Sequence, residues 1–410
     1  MNNDALKSKI SMSDSNTDIK KRISDILPRI STLLSEYHAT YTKTGLFEGE
    51  LGAALYQSHY YVITKDEKVL NLIYEHLGRS IHAFNNASQS FNLADGIAGM
   101  MWIFAHLKNL GILSAEEMDV FDADMGNAFK RSLDIDIKRN NYDLLYGYIG
   151  KIIALIEIGS QDAGQIERAI DILCQTAIWE DDGCYWIDPD YKKEGIVNLG
   201  LAHGLPGILV FLLKWTTENQ KQSNKMSVSI ANWIASSASE SYYSRFSTSV
   251  RPGAETTAGS RLAWCYGDLG VTLAFLAIDQ VYPNKKWKHE IYLTINALKK
   301  RTVHNSGIAI NKNTGLMDIG FCHGTSGIAH QFNKIYHLTG EIEMFNQMHY
   351  WIEHTIINVE ANLTIYDKLN KSELTEVDLG LLNGIVGAGL VLLSFLEPEG
   401  QDWDRIFLLN

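Results

Sequence analysis

The chain has 410 residues, 46 % of them apolar and 20 % charged, which is ordinary globular composition and enough to bury a large core. Its net charge of −12 argues against nucleic acid as a partner. Four cysteines make no disulfide framework, and the longest apolar run, Val386 to Leu396, is too short to cross a bilayer as a helix, so a cytoplasmic protein without a membrane span is expected.

In chain order, residues 1–20 read as a flexible polar tail with no apolar stretch of the signal-peptide kind. A turn with two glycines follows and then recurs. It reads Leu46-Phe47-Glu48-Gly49-Glu50-Leu51-Gly52, Leu93-Ala94-Asp95-Gly96-Ile97-Ala98-Gly99 and Leu144-Leu145-Tyr146-Gly147-Tyr148-Ile149-Gly150. The fourth and fifth copies are Leu201-Ala202-His203-Gly204-Leu205-Pro206-Gly207 and Trp264-Cys265-Tyr266-Gly267-Asp268-Leu269-Gly270. Phe321-Cys322-His323-Gly324-Thr325-Ser326-Gly327 and Leu381-Leu382-Asn383-Gly384-Ile385-Val386-Gly387 complete the series. A repeat of this length signals a repeat architecture.

Each second glycine opens an apolar helical stretch, such as Ile208-Leu-Val-Phe-Leu-Leu, that must be buried on nearly all sides. Amphipathic stretches lie between the copies, Lys68 to Leu77 and Trp287 to Leu298 among them, and suit an outer layer with one wet face. The simplest assembly is all-α: an α/α toroid of seven inner and seven outer helices, forming one domain over residues 1–410. An open solenoid would need polar caps, and the seventh copy is as apolar as the others. The glycines have a structural explanation, positive φ or close backbone approach at the turn into an inner helix.

That explanation leaves the residue before each first glycine unaccounted for. Glu48, Asp95, Tyr146, His203, Tyr266, His323 and Asn383 are all polar and should line one mouth of the ring. One position earlier, cysteine replaces an aliphatic or aromatic residue in copies five and six only, as Cys265 and Cys322. Neighbouring copies put these two sulfurs and the imidazole of His323 in register. Two thiolates and one imidazole with a fourth position open form the ligand pattern of a catalytic Zn²⁺. Cys174 and Cys184, outside the register, read as small buried hydrophobes. His203, Asp143 (four residues before Gly147) and Arg261 (four before Cys265) point to the same mouth as an acid/base, its orienting carboxylate and a cation for developing negative charge. The stretch from Tyr242 to Ser260 reads as a rim over that mouth.

The motifs Gly200-Leu-Ala-His-Gly-Leu-Pro-Gly207, Trp264-Cys-Tyr-Gly267 and Cys322-His-Gly-Thr-Ser-Gly327 carry a resemblance. The chain resembles the lanthionine synthetase C-like proteins, in particular the stand-alone class I lanthipeptide cyclases, from Gly45 to about Leu396. The resemblance implies zinc on Cys265, Cys322 and His323, and active-site roles for His203, Asp143, Arg261 and Tyr266. The implied reaction is Michael-type addition of a peptide cysteine thiol to dehydroalanine or dehydrobutyrine, giving a thioether ring. The implied partners are a dehydrated precursor peptide, with a dehydratase and an exporter in passing contact; a monomer is the default expectation. Some relatives carry a β-rich insertion between early repeats; here those steps are the shortest, and its absence is expected. Two alternatives remain at this point: glutathione addition to dehydroamino acids in proteins, and a non-catalytic zinc-containing peptide-binding scaffold.

Overall fold

The computed structural model describes residues 3–37, 43–86, 90–121, 123–159, 163–215, 221–241, 243–254, 259–369, 373–400 and 402–409. Each double-glycine turn leads into an inner helix, as the repeat predicts. These helices are α2 (Glu50–Thr64), α4 (Ile97–Asn109), α6 (Tyr148–Glu157), α8 (Leu205–Trp215), α10 (Asp268–Val281), α12 (Thr325–Thr339) and α15 (Ile385–Leu396). Seven outer helices accompany them: α1 (Asn3–Tyr37), α3 (Glu67–Asn86), α5 (Ala123–Arg139), α7 (Ala163–Thr176), α9 (Lys221–Ser236), α11 (Lys285–Leu298) and α13 (Ile342–Tyr366). A short helix α14 (Glu376–Leu379) precedes the last turn. Two short antiparallel pairs interrupt the helices: β1 (Ile178–Glu180) with β2 (Gly183–Tyr185), and β3 (Val197–Asn198) with β4 (Ser249–Val250). Among the described residues no strand precedes Ile178.

The two layers follow from side-chain spacing. In α4 every residue from Ile97 to Leu107 is buried, so it has no wet face. In the outer α3, Val69, Ile73 and Leu77 repeat every four residues and are buried as one stripe. The first outer helix overlaps the segment read as a polar tail. Helix α1 begins at Asn3, and Ile19, Ile23, Ile26 and Ile30 are buried. It packs against α13, α15 and α2 and supplies the seventh outer helix. Arg22 holds Glu360 of α13 through two hydrogen bonds of 3.0 and 2.6 Å.

Closure of the ring is written in backbone hydrogen bonds between successive turns. Leu46 and Phe47 donate to the carbonyl of Ala94 (2.9 and 3.0 Å), and Leu93 and Ala94 to that of Leu145 (3.0 and 3.2 Å). Leu144 donates to Ala202 (3.3 Å), Trp264 to Cys322 (2.7 Å) and Cys322 to Leu382 (2.8 Å). The last turn returns to the first, with Leu381 and Leu382 donating to Phe47 at 2.8 and 3.2 Å. The accepting carbonyls belong to the register position that holds the two cysteines.

The glycines serve close approach far more than special φ. Of the seven first glycines only Gly267 has positive φ, at 91°. The second glycines press on a carbonyl six residues earlier: a Cβ on Gly150 would lie 2.0 Å from the oxygen of Leu144, and one on Gly327 1.7 Å from that of Phe321. Gly327→Ala must therefore displace the Phe321–Cys322 backbone. A loss of about 1–3 kcal/mol or more is expected from overpacking, read by denaturant melts.

Candidate metal centre and acid/base pair

Every turn leaves one residue facing outward between buried neighbours. All seven pre-glycine residues are half-buried or exposed, while the residues on either side of each are mostly buried. They share one space electrically: the Tyr146 hydroxyl is pushed up first by burial and then by Asp95, Glu48, Asp143 and Cys322.

Cys265 and Cys322 are buried, at 3 % and 7 % exposure, and neither forms a disulfide. The seam bond from the Trp264 amide to the Cys322 carbonyl draws their loops together. The neighbouring Cys322 thiol holds the Cys265 thiol below its ordinary value against the opposing effect of burial, with help from Arg261 and His323. The same pairing, with burial, raises Cys322. A guanidinium nitrogen of Arg261 lies 3.9 Å from the Cys265 sulfur.

His323 is oriented by a residue that the sequence reading missed. Its Nδ1 bonds a carboxylate oxygen of Asp318 at 2.8 Å, and the other Asp318 oxygen accepts from the Gly320 amide at 2.7 Å. This pairing places the proton on Nδ1 and leaves the Nε2 lone pair for a ligand, as in carboxylate–histidine–metal triads. Two cysteines on neighbouring turns and an oriented imidazole are the donor types a thiophilic divalent cation such as Zn²⁺ takes, though their ligand atoms are not drawn together within 4.8 Å. Asp318→Asn keeps an oxygen for the Gly320 amide but removes the carboxylate. It is expected to weaken zinc affinity about 10–100-fold in a chelator competition.

His203 and Asp143 meet as expected, Nδ1 to Oδ2 at 2.5 Å. The other Asp143 oxygen accepts from the amides of Leu145 and Tyr146 at 2.7 and 2.8 Å, fixing the carboxylate in its turn. Burial pulls the His203 pKa down, but Asp143, Cys265 and Asp188 outweigh it and leave the pKa above the ordinary value. The Tyr266 ring stands 5.9 Å from the His203 ring. Beside the pair lies a cavity of about 430 Å³ bordered by Asp188, Asn198, Tyr142 and Tyr266. Asn198 donates to Asp188 at 3.0 Å and accepts from the Gly200 amide at 2.8 Å. Asp188 and Asn198 were also missed in the sequence.

The Tyr242–Ser260 rim is fastened where described. Arg245 and Phe246 donate their amides to buried Asp268 at 3.0 and 2.8 Å, and β4 pairs with β3. Tyr242 and residues 255–258 of that rim lie outside the described residues.

A second histidine group sits further along the inner helices. Among the described residues, the His, Cys, Asp and Glu atoms found within 4.8 Å of one another as a trio are those of His59, His106 and Asp402, not those of Cys265, Cys322 and His323. His59 and His106 face each other, Nε2 to Nε2, at 2.9 Å. Arg405 donates to His106 Nδ1 at 3.4 Å, so the His106 proton is on Nε2, pointing at His59. Burial and then Arg405 hold His106 neutral, down to about 3. The pairing of His59 with His106 is a hydrogen bond as the residues stand, and the same trio could hold a metal ion.

Fold and mouth together define an α/α toroid whose ring seam carries a thiol pair, an oriented imidazole and a histidine–carboxylate pair. The family model for "Lanthionine synthetase C-like protein" matches residues 40–408, and the chain belongs to that family. Among solved structures it is similar to a nisin cyclase, with a TM-score of 0.70 and 18 % identity over 96 % of this chain and 98 % of that one. That likeness supports the toroid fold over 96 % of the chain. No helix among the described residues is long and apolar enough to cross a membrane.

Proposed function

We propose that the protein is a zinc-dependent lanthipeptide cyclase. It would close lanthionine or methyllanthionine rings by adding peptide cysteine thiols to dehydroalanine or dehydrobutyrine. The observation that carries this reading is Cys265 and Cys322 buried on bonded neighbouring turns, with His323 oriented by Asp318 and His203 by Asp143 in the same ring of turns. Membership of the lanthionine synthetase C-like family supports it.

Cys265, Cys322 and Nε2 of His323 would hold Zn²⁺, which supplies an open position that binds a thiol and lowers its pKa. Attack joins sulfur to the alkene β-carbon, and the π electrons move onto the neighbouring carbonyl as an enolate. Arg261, the cation beside Cys265, is the residue placed to offset that charge. His203, its pKa held above the ordinary value with the help of Asp143, would donate to the α-carbon while the thiol proton leaves to solvent, so product and substrate have equal mass. Tyr266 packs beside His203 and confines its ring. The reading carries with it a dehydrated precursor peptide, passing contact with a dehydratase and an exporter, and monomeric work in the cytoplasm.

The test is incubation of metal-loaded protein with a dehydrated precursor, followed by thiol alkylation and mass spectrometry. Cyclization protects the thiols without changing peptide mass; thiols that stay alkylatable refute the reading. Cys322→Ala should lose stoichiometric zinc, and equal zinc in both proteins would remove Cys322 from the ligand set.

A further inference from the structure

The largest groove at the site's edge has no role in the chemistry described above. It encloses about 670 Å³, within the range of about 300–1,000 Å³ common for ligand pockets. Its lining includes His323, Asp318 and Asn383, so it borders one of the proposed metal ligands. It is also lined by Ile310, Leu369 and Val377, large apolar side chains that are 49 %, 37 % and 44 % exposed. Three exposed aliphatics gathered at one groove, in a chain of net charge −12, form a patch that needs an occupant.

The walls are pre-formed. Asp318 and Asn311 donate to the carbonyls of Ala309 and Leu316 at 3.0 and 2.8 Å, closing the loop that carries Ile310. The Met317 amide is fixed to Asn358 of α13 at 2.8 Å, and Thr375 and Asp378 cap α14, which carries Val377, in a reciprocal box. A groove that needs no ordering on binding loses less affinity to entropy. Two of its acids are already engaged, Asp318 by His323 and Gly320, and Asp378 by Thr375. The rest of the lining is mainly apolar, with Glu373, Asn362 and Asn383 among the polar groups that could meet a peptide backbone.

We propose that this groove seats the segment of the substrate peptide next to the reacting cysteine and selects apolar side chains there. The assignment rests on the cyclase reading, because the occupant is the peptide whose thiol reaches His323's metal. It adds a specificity surface, from Ile310 to Val377, to the chemistry of the mouth.

The experiment measures fluorescence anisotropy of two labelled synthetic peptides, each with one cysteine and one dehydroalanine. In one the cysteine is flanked by isoleucine and leucine, in the other by serine and glycine. Wild-type protein is expected to bind the first about tenfold more tightly, the worth of burying one or two partly exposed aliphatic side chains. Val377→Lys and Ile310→Lys, both at exposed positions, should each raise its Kd about tenfold with zinc content unchanged. Ile135→Lys, at an equally exposed aliphatic on α5, should leave Kd unchanged. The proposal is overturned if the peptides bind alike, if neither is bound, or if Val377→Lys and Ile310→Lys leave Kd where it was. Selective binding without ring closure would defeat the cyclase reading and leave the groove assignment standing.

Discussion

His203→Ala is expected to lower the rate of ring closure by about 10²–10⁴, the usual contribution of a positioned general acid, with zinc content unchanged. The expectation comes from the pair rather than from the histidine alone. Burial by itself would leave His203 neutral, and the bond to Asp143 reverses that outcome. Asp143→Asn isolates the effect. An asparagine oxygen can still accept from the Leu145 and Tyr146 amides, so the turn is kept, while the negative charge is lost.

The sign of the pH dependence follows. A histidine with raised pKa is charged below that pKa and loses its proton as pH rises through it, so activity that needs the imidazolium falls on the alkaline side. In Asp143→Asn burial dominates and the pKa drops, so the alkaline limb of kcat should move to lower pH. Unfolding measurements should move in the same sense, since the stability that this histidine gains from Asp143 is present at low pH and lost as pH rises. A kcat for His203→Ala within a few-fold of wild type, or an alkaline limb unmoved in Asp143→Asn, would remove the acid role.

The toroid was legible because its seam repeats. Seven glycine pairs, each followed by an apolar run, predict seven inner helices, and the register alone brings Cys265 beside Cys322. Polar residues that serve one copy only were harder to see. Asp318 lies six residues before its first glycine, and the same position holds Lys43, Ser90, Asn141, Asn198, Arg261 and Asp378. It is polar in all seven copies, and Arg261, Asn198 and Asp318 all act at the site. Reading that second register would have found Asp318 and Asn198. Asp188 lies outside any register; it borders the cavity beside His203 and holds Asn198. Helix α1 was missed for another reason. Its apolar residues, from Ile19 to Leu34, sit in a charged stretch before the first repeat, and only packing on α13 and α15 makes them core.

The C-terminal turn carries the last expected effect, and no repeat announces it. Residues Trp403–Phe407 form a 3₁₀ turn inserted among the inner helices. Arg405 binds Glu157 of α6 at 2.6 Å, and Asp404 takes His330 and Lys334 of α12 at 2.7 Å each. These bonds hold Phe407 at the centre of the ring. Its ring centroid lies 4.1 Å from Phe321, 4.9 Å from Trp264 and 5.4 Å from Phe47, and its carbonyl accepts from the Trp264 indole at 2.9 Å. Trp264 and Phe321 immediately precede Cys265 and Cys322, so the aromatic cluster anchors the backbone next to both thiols. Phe407→Ala should cost about 3–5 kcal/mol in unfolding free energy through the cavity it leaves. Collapse of Trp264 and Phe321 into that space would pull the two sulfurs apart, so zinc affinity should fall with stability. Phe407→Leu refills much of the volume and should recover most of both. If Phe407→Ala melts early yet binds zinc as tightly as wild type, the turn is core packing alone and the cysteines owe their spacing to the seam bond between Trp264 and Cys322.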